Sequence, residues 1–382
     1  MIDSDRLTTI LADLVKIESI NPELVPGGSG EEKIAAYVAD FLRAAGLKTR
    51  IQRLGPGRAN VVGVLRGRGG GRSLMLNGHL DTVGVAGMGA PFSAEIKNNR
   101  LYGRGAQDMK GGITAALLAV ATLAEGPRLR GDLIIAAVAD EEFKSSGTRA
   151  LLEEITTDAA IVMEPTGLEV ATAHKGFAWA EIETLGKAAH GSRPQDGLDA
   201  IAMMGRVLGG IESLQEKLDG AGGHPLLGHA SVHASLISGG QELSSYPSRC
   251  KLSVERRLLP GEDASTFKNE LDEIISNLSD RPQKFRARVA MGYSALALET
   301  AVESPIAQSL IESASKVIGP SAKFGAQSFW TDAALLNEAG TASVLFGPGG
   351  AGMHSTVEYA NLPEVAQCAE VLIECAKDFC GD

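Results

Sequence analysis

The stretch SLMLNGHLDTV, Ser73 to Val83, begins as an apolar run and ends in polar groups. Short apolar runs of this kind predict a buried strand. His79 and Asp81 stand two positions apart, where that strand should pass into a turn. Because alternate residues of a strand share one face, both side chains are expected to point the same way. An imidazole and a carboxylate are unfavourable on one face of a buried strand, so we expect these two side chains to bind a ligand.

Short runs rich in β-branched residues alternate with amphipathic helical patterns on both sides of this stretch. The predicted strands are ANVVGVL (59–65), DLIIAAVADEE (132–142), AAIVMEP (159–165) and ASVLFGPGG (342–350). The predicted helices are 5–17, 31–45 and 113–125. Strands that alternate with helices in this way favour an α/β fold.

The pattern changes between about residues 176 and 290. Polar and apolar residues alternate there in FAWAEIETLG (177–186) and CKLSVERRLL (250–259), between helical stretches. This texture is typical of an α+β segment with an antiparallel sheet. The α/β pattern returns at IAQSLIESASKVIG (306–319). We therefore predict a discontinuous main domain, residues 1–175 and 291–382, with residues 176–290 inserted as a second domain.

Side chains that can bind a ligand follow several predicted strands. Binding sites in open α/β sheets lie beyond the carboxyl ends of the strands, so residues at these places belong together. They are His79 and Asp81, the triplet 140–142 (DEE), Glu164, His354, and Asp108 at the start of a helix. Each has an ordinary explanation when taken alone, such as a helix N-cap for an Asp. Their convergence on one end of one sheet predicts a shared site.

Two histidines with several carboxylates and no cysteine form a ligand set suited to divalent metals. Zn²⁺ is the expected ion, and Co²⁺ or Mn²⁺ accept the same ligands. Two such ions about 3.5 to 4 Å apart, bridged by a carboxylate and a water, form the usual catalytic centre of metal-dependent peptidases and amidases. Neighbouring residues at a strand end point in different directions. One of Glu141 and Glu142 can therefore hold a metal while the other stays free as a base.

Composition and charge exclude some classes of partner. The chain has 382 residues and a net charge of -11 without a block of Lys or Arg, which argues against a nucleic acid or a membrane surface. The acidic, amphipathic start is unlike a signal peptide, and we expect a cytoplasmic protein. Four cysteines, Cys250, Cys368, Cys375 and Cys380, contain no CxxC pair and receive no functional role.

Six motifs occur in the order and spacing of the M20 metallopeptidases: GHLDTV, GRGAQDMKGG, ADEE, MEPTG, KAAHGSRP and GAGMHSTVEY. Over nearly its whole length the chain resembles the acetylornithine deacetylase, succinyl-diaminopimelate desuccinylase and carboxypeptidase G2 group of that family. The resemblance implies a zinc-exopeptidase-like catalytic domain with a mainly parallel mixed sheet between helices. It also implies that the insertion is a lid and dimerisation domain with a four-stranded antiparallel sheet and two helices.

The resemblance also implies a role for each residue of the shared site. Five residues would bind two metals: His79 and Glu164 one ion, His354 and Glu142 the other, and Asp108 both. Glu141 would be the general base that takes a proton from the bridging water and passes it to the leaving amine. Asp81 would orient the ring of His79.

Within the insertion, the resemblance makes His190 the histidine that reaches the partner subunit's active site and polarises the scissile carbonyl. Arg257 would bind the substrate α-carboxylate. Its neighbour Arg256 falls on the opposite strand face, and the sequence leaves open which of the two faces the ligand. Ser244 stands where related enzymes often carry Asn, and Glu255 stands where Asp or Asn is common.

The literal GxGxxG in GPGGAG (347–352) is followed at once by His354 rather than by an apolar helix, so a nucleotide site is disfavoured. These glycines fit a loop that brings His354 to the metals, with Gly350 as a predicted substrate contact. The leading hypothesis is hydrolysis of an amide bond in a small N-acyl amino acid by a homodimer. The alternatives are an aminopeptidase, dipeptidase or carboxypeptidase acting on short peptides and, more remotely, a non-catalytic metal-binding scaffold.

Overall fold

The computed structural model describes residues 2–279 and 284–381. The chain divides into two compact units. The first consists of Met1–Thr172, Thr300–Ala326 and Thr331–Asp382, and the second of Ala173–Glu299 and Gln327–Trp330.

Helices and strands alternate along most of the chain. The helices are α1 (Ser4–Lys16), α2 (Glu32–Ala44), α3 (Gly111–Glu125), α4 (Ser146–Leu152), α5 (Ala200–Gly220), α6 (Ala264–Ser279), α7 (Pro305–Ile318), α8 (Ala333–Glu338) and α9 (Leu362–Gly381). The strands are β1 (Lys48–Gly55), β2 (Arg58–Leu65), β3 (Leu74–His79), β4 (Glu95–Lys97), β5 (Arg100–Tyr102), β6 (Leu133–Val138), β7 (Ala159–Val162), β8 (Val170–His174), β9 (Gly176–Leu185), β10 (Ser231–Gly239), β11 (Arg249–Leu258), β12 (Ala287–Ala295), β13 (Leu298–Glu299), β14 (Phe324–Gln327), β15 (Ala342–Leu345), β16 (Gly350–Ala351) and β17 (Tyr359–Asn361).

The first unit contains a large mixed sheet. Its strands follow the order β1-β2-β6-β3-β7-β15-β8, and β14 pairs with β8. The neighbouring pairs β6/β3, β3/β7 and β7/β15 are parallel. Strands β3, β6 and β7 are buried along their whole length, as is usual for parallel strands covered on both faces. This sheet confirms the predicted α/β fold, and its parallel strands bring their carboxyl ends to one edge.

The helices of the first unit pack on this sheet through apolar faces. Helix α3 (GGITAALLAVATLAE) carries no charged residue before Glu125 and is buried along nearly all of its length. Helices α1 and α2 are amphipathic, and each buries one apolar stripe in the same core. In residues 2–279 and 284–381, no helix is long and apolar enough to cross a membrane.

A second, small sheet of the first unit has the order β16-β17-β5-β4. In it Tyr102 at the end of β5 pairs antiparallel with Tyr359 at the start of β17. The chain that leaves β5 and the chain that enters β17 therefore lie at the same end of this sheet. The first leads to Asp108 and the second comes from His354, so the small sheet brings these two distant segments together.

In its described residues, the second unit is an antiparallel sheet with two helices, which confirms the predicted α+β fold of the insertion. The strand order is β10-β11-β9-β12. On β9 and β11 every second residue, such as Ala178, Ile182 and Val254, is buried in a core that also contains the apolar faces of α5 and α6. Strand β10 forms one edge of the sheet, and most of its residues are exposed.

Candidate functional site

His79 is the last residue of β3 and is almost fully buried. Its Nδ1 lies 2.9 Å from the backbone carbonyl oxygen of Asp81. A carbonyl oxygen can only accept, so Nδ1 carries a proton, and in the neutral ring Nε2 has a free lone pair. That Nε2 lies 3.0 Å from Oδ1 of Asp108 and 3.9 Å from Oε1 of Glu164. The ring is therefore oriented to bind a cation among carboxylates.

Asp108 lies between two imidazoles. Its Oδ1 is 3.0 Å from Nε2 of His79, and its Oδ2 is 3.3 Å from Nε2 of His354. Nε2 of His354 also lies 3.1 Å from Oε2 of Glu142. One carboxylate thus faces two histidines, and each histidine has a further glutamate nearby, Glu164 or Glu142. This is the arrangement that a bridging carboxylate requires.

Two groups of side chains in the described residues have ligand atoms within 4.8 Å of one another: His79, Asp108 and Glu142, and His79, Glu141 and Glu164. Burial raises the pKa of Glu164 well above its usual range. Burial, followed by the charge of Glu164, does the same to the pKa of Glu141. The cluster holds more negative charge than two imidazoles neutralise, and its donors are oxygen and nitrogen. Both features fit divalent cations.

The nearby carboxylates also raise the pKa values of the two histidines. Hydrogen bonds to Asp108 and Glu142 raise the pKa of His354 to about 10. Burial alone would lower the pKa of His79, but the hydrogen bond with Asp108 and the charge of Glu164 outweigh it and raise that pKa. Each ring thus has an electrostatic environment that favours positive charge, either as a proton or as a bound metal.

The DEE triplet follows β6, which runs parallel to β3. Asp140 adopts a left-handed backbone conformation with φ 71°, which turns the chain sharply after the strand. The side chain of Glu142 contacts His354 and also belongs to the group with His79 and Asp108, whereas that of Glu141 belongs to the group with His79 and Glu164. Glu142 therefore lies near both histidines, and Glu141 lies near His79.

The carboxylate of Asp81 contacts the DEE backbone. Its Oδ1 accepts from the backbone N–H of Glu141 and its Oδ2 from that of Glu142, both at 3.2 Å. The same carboxylate lies 3.7 Å from Nδ1 of His79, beyond hydrogen-bond distance. Asp81 therefore holds the ring of His79 through its backbone carbonyl and the glutamate segment through its side chain.

Glu358 holds the loop of Asp108 and was not singled out from the sequence. Its buried carboxylate accepts from the backbone N–H of Gly105, Gln107 and Asp108 at 3.0 to 3.1 Å, and from Arg104 at 2.6 Å. Four donors on one carboxylate fix the loop rigidly. The only signal in the sequence was its place in the motif GAGMHSTVEY.

Asp332 is a second carboxylate that the sequence did not reveal. It is buried just before α8, and its Oδ2 accepts from Oγ1 of Thr148 at 2.5 Å. Burial raises the pKa of Asp332 to about 6, and its charge also raises the pKa of Glu141 and Glu164. In the sequence it looks like an ordinary residue before a helix.

Gly350 lies in β16, where its backbone pairs with Ala360. A Cβ at this position would lie 2.1 Å from the carbonyl oxygen of Tyr359. The close approach of the two strands therefore requires glycine here.

His190, Ser244 and Arg257 belong to the second unit. His190 is exposed, and its Nδ1 accepts from the backbone N–H of Ser192 at 3.2 Å, with the Ser192 hydroxyl at 2.8 Å. In the neutral ring the proton therefore lies on Nε2, which is free to donate. The backbone carbonyl of Ser244 accepts from the N–H of Gly191, so it supports the same loop.

The two adjacent arginines of β11 differ in their surroundings. Arg256 is buried and makes paired hydrogen bonds to Glu262 and Glu270. Arg257 lies on the other face, its side chain about one-third exposed (34%), with Nε 2.7 Å from Oε1 of Glu255. Arg256 is thus committed to the core of the unit, whereas the side chain of Arg257 is partly exposed to solvent.

The sequence and the fold both match known proteins. The profile of peptidase family M20/M25/M40 matches residues 75–378. An acetylornithine deacetylase of Myxococcus xanthus is 32% identical over 359 residues, which cover 90% of this chain and 91% of that protein.

Among solved structures, aminopeptidase PepT from Bacillus cereus superposes with a TM-score of 0.81 at 18% identity and covers 99% of both chains. The Bacillus subtilis YXEP protein, described as a dinuclear metal binding peptidase from the M20 family, superposes with a TM-score of 0.73 at 14% identity, over 98% of this chain and 97% of that one. At such identities these structures show the shared fold alone.

Proposed function

The chain belongs to peptidase family M20/M25/M40, and on that basis we propose that it hydrolyses the amide bond of a small N-acyl amino acid. One observation carries the proposal: the carboxylate of Asp108 faces both His79 and His354, with Glu141 beside them. The similarity to an acetylornithine deacetylase supports the N-acyl amino acid as the substrate class.

We assign two divalent metals to this cluster, with Zn²⁺ as the expected ion and Co²⁺ or Mn²⁺ as alternatives. His79 and Glu164 would hold one ion, His354 and Glu142 the other, and Asp108 would bridge them. When bound, the ions supply Lewis-acid activation of water and of the amide carbonyl. Asp81 holds the backbone of Glu142 and Glu358 holds that of Asp108, so these two carboxylates would be fixed in place for the ions.

Glu141 is the general base and acid of the proposed mechanism. Its carboxylate takes a proton from the attacking water and returns it to the nitrogen of the leaving amine. The raised pKa of Glu141, caused first by burial, suits a group that must accept and then release a proton. Glu142 is not the proposed base, because its carboxylate lies 3.1 Å from Nε2 of His354.

His190 donates from Nε2 to the carbonyl oxygen of the scissile amide in the partner subunit's site. The position of its proton supports this role, because Nδ1 is already an acceptor. The dimer itself is supported by the exposed edge strand β10, which carries the exposed apolar side chains of Leu236 and Ile237. An unpaired apolar edge readily pairs with a second copy.

The dimer proposal predicts complementation between two inactive variants. We expect His190→Ala and Glu141→Gln to be inactive alone and to recover activity after subunit exchange. In the heterodimer one site combines an intact Glu141 with the partner's intact His190, so random exchange restores roughly a quarter of the wild-type sites. Amine release from the exchanged mixture measures it. Absence of recovery, with exchange proven by native mass spectrometry, would place His190 in its own chain's site or in none.

Arg257 binds the α-carboxylate of the substrate, and Ser244 and Gly350 form further substrate contacts in this proposal. The planar guanidinium can hold a carboxylate through two parallel hydrogen bonds. An aminopeptidase would instead need a free acidic group for the substrate amine, and Glu255 is the acidic neighbour of Arg257. Its Oε1 is 2.7 Å from Arg257 and its Oε2 accepts from Trp179, so both oxygens are engaged. The side chain that is left available to recognise the substrate is therefore the cationic Arg257.

A substrate screen tests the proposed function. The protein is loaded in turn with Zn²⁺, Co²⁺ and Mn²⁺ and is assayed for amine release from N-acetyl, N-succinyl and N-formyl amino acids and from simple dipeptides. We expect the N-acyl amino acids to be hydrolysed fastest. Faster hydrolysis of dipeptides by every metal form would favour the alternative of a peptidase acting on short peptides.

We also propose a cytoplasmic location. All four cysteines are buried and free, which suits a reducing compartment. Cell fractionation with a specific antibody checks this location.

A further inference from the structure

A buried asparagine lies between two carboxylates next to the DEE triplet. We propose that Asn21 is a positioning residue, which joins Asp81 to Asp140 and thereby fixes the backbone that carries Glu141. The inference rests on the proposed role of Glu141 as the base. Asn21 precedes the first strand of the chain, and no motif in the sequence points to it.

The side-chain amide of Asn21 uses all of its hydrogen-bonding groups. Its Nδ2 donates to Oδ2 of Asp81 at 2.8 Å and to Oδ1 of Asp140 at 3.0 Å. Its Oδ1 accepts from the backbone N–H of Glu23 at 2.9 Å. Ionised carboxylates only accept, so the NH₂ group must face them and the amide cannot be flipped. The asparagine is completely buried, and both carboxylates are almost completely buried.

The two carboxylates that Asn21 joins hold the glutamate segment at both ends. Asp81 accepts from the backbone N–H of Glu141 and Glu142. Asp140 is in the left-handed region, and its Oδ2 accepts from the backbone N–H of Ser146 at 3.2 Å. A left-handed conformation is unfavourable for an aspartate and persists only where its surroundings hold it. The direction of the Glu141 side chain therefore depends on these two anchors.

Position 21 requires a neutral side chain that donates hydrogen bonds. Arg58 already lies 2.9 Å from Oδ1 of Asp140 and extends to the buried Glu31, so the cation there is shared. An aspartate at position 21 would be an acceptor only and would place a third negative charge against Asp81 and Asp140. An alanine would leave both carboxylates without a donor between them. Either change should loosen the segment, the aspartate more than the alanine.

The backbone around Asn21 is held independently of its side chain. The N–H of Asn21 donates to the carbonyl of Thr82, and the N–H of Thr82 donates to the carbonyl of Ser19, both at 2.9 Å. Substitution of the side chain should therefore leave this segment in place. Ser309 offers a matched control, because its buried hydroxyl also donates to a carboxylate, that of Asp378 at 2.6 Å, in helices α7 and α9.

The experiment compares Asn21→Ala, Asn21→Asp and Ser309→Ala with the wild type by two readouts. The first is hydrogen exchange of the Glu141 and Glu142 amides in the metal-free protein. We expect exchange about 10-fold faster in Asn21→Ala, faster still in Asn21→Asp, and unchanged in Ser309→Ala. The second is steady-state kinetics at full metal loading. For Asn21→Ala we expect kcat about 10-fold to 100-fold lower with KM within about threefold of wild type.

Unchanged exchange in both Asn21 variants would overturn the positioning role. Faster exchange with unchanged kcat would overturn its link to Glu141, and so would a loss of kcat that the control Ser309→Ala shares. If the wild type hydrolyses dipeptides but no N-acyl amino acid, the proposed substrate class fails. The same two readouts, taken with a dipeptide, then still decide the role of Asn21.

Discussion

Glu141→Gln is expected to lower turnover by about 10²-fold to 10⁴-fold while leaving the metal content unchanged. The carboxamide keeps the size of the side chain but cannot take up a proton. Glu141 sits among buried carboxylates, where burial and the charge of Glu164 raise its pKa, so its proton affinity is the property that substitution removes. Turnover of the best N-acyl amino acid and metal analysis of the same sample measure both parts of the prediction.

Glu142→Gln is the matched control for this result. Its carboxylate lies 3.1 Å from Nε2 of His354, which makes it the proposed ligand of the second ion. We expect this variant to lose metal together with activity. Loss of metal in Glu141→Gln, with full loading of Glu142→Gln, would reverse the two assignments.

Arg257→Ala is expected to lower kcat/KM on a substrate with a free α-carboxylate by about 2 to 4 kcal/mol, roughly 30-fold to 900-fold. The reason is that a guanidinium positions the carboxylate through paired hydrogen bonds at a distance from the scissile bond. The wild type should hydrolyse the corresponding α-amide poorly, and Arg257→Ala should change that slow rate little. Rates for the acid and the amide, measured in both proteins, give the comparison.

Lys251→Ala provides the control for Arg257. Lys251 lies on the same strand and the same face, paired with Glu181, and has no proposed contact with substrate. It should behave as wild type on acid and amide alike. Equal wild-type rates on the acid and the amide, together with unchanged rates in Arg257→Ala, would contradict recognition of a carboxylate. This result would favour a peptidase that recognises a free amine.

The sequence predicted the main sheet from apolar runs that alternate with helical patterns, and it predicted the site from the polar side chains at the ends of those runs. His79 ends β3, Glu164 follows β7 by two residues, and the DEE triplet follows β6. These strands lie side by side and parallel, so the rule that ligands bind beyond the carboxyl ends of strands selected residues that the structure also brings together.

The sequence predicted a holding role for Asp81 but did not predict the small sheet or the roles of Glu358 and Asn21. Glu358 contacts Asp108 across 250 positions, and Asn21 contacts Asp140 across 119. The periodicity of one segment carries no information about such partners. A buried carboxylate and a solvated one also look alike in a sequence, which is why Asp332 reads as an ordinary residue before a helix.

We propose above all that this chain is a metal-dependent amidase with a two-ion site. The direct test is to strip the protein of metal, add Zn²⁺ in steps and record the rate of amine release from an N-acetyl amino acid at each step. We expect a negligible rate without metal and a plateau near two ions per chain, with the bridge variant Asp108→Ala failing to reach it. Equal rates in the metal-free and loaded protein would show that hydrolysis does not depend on a two-ion site.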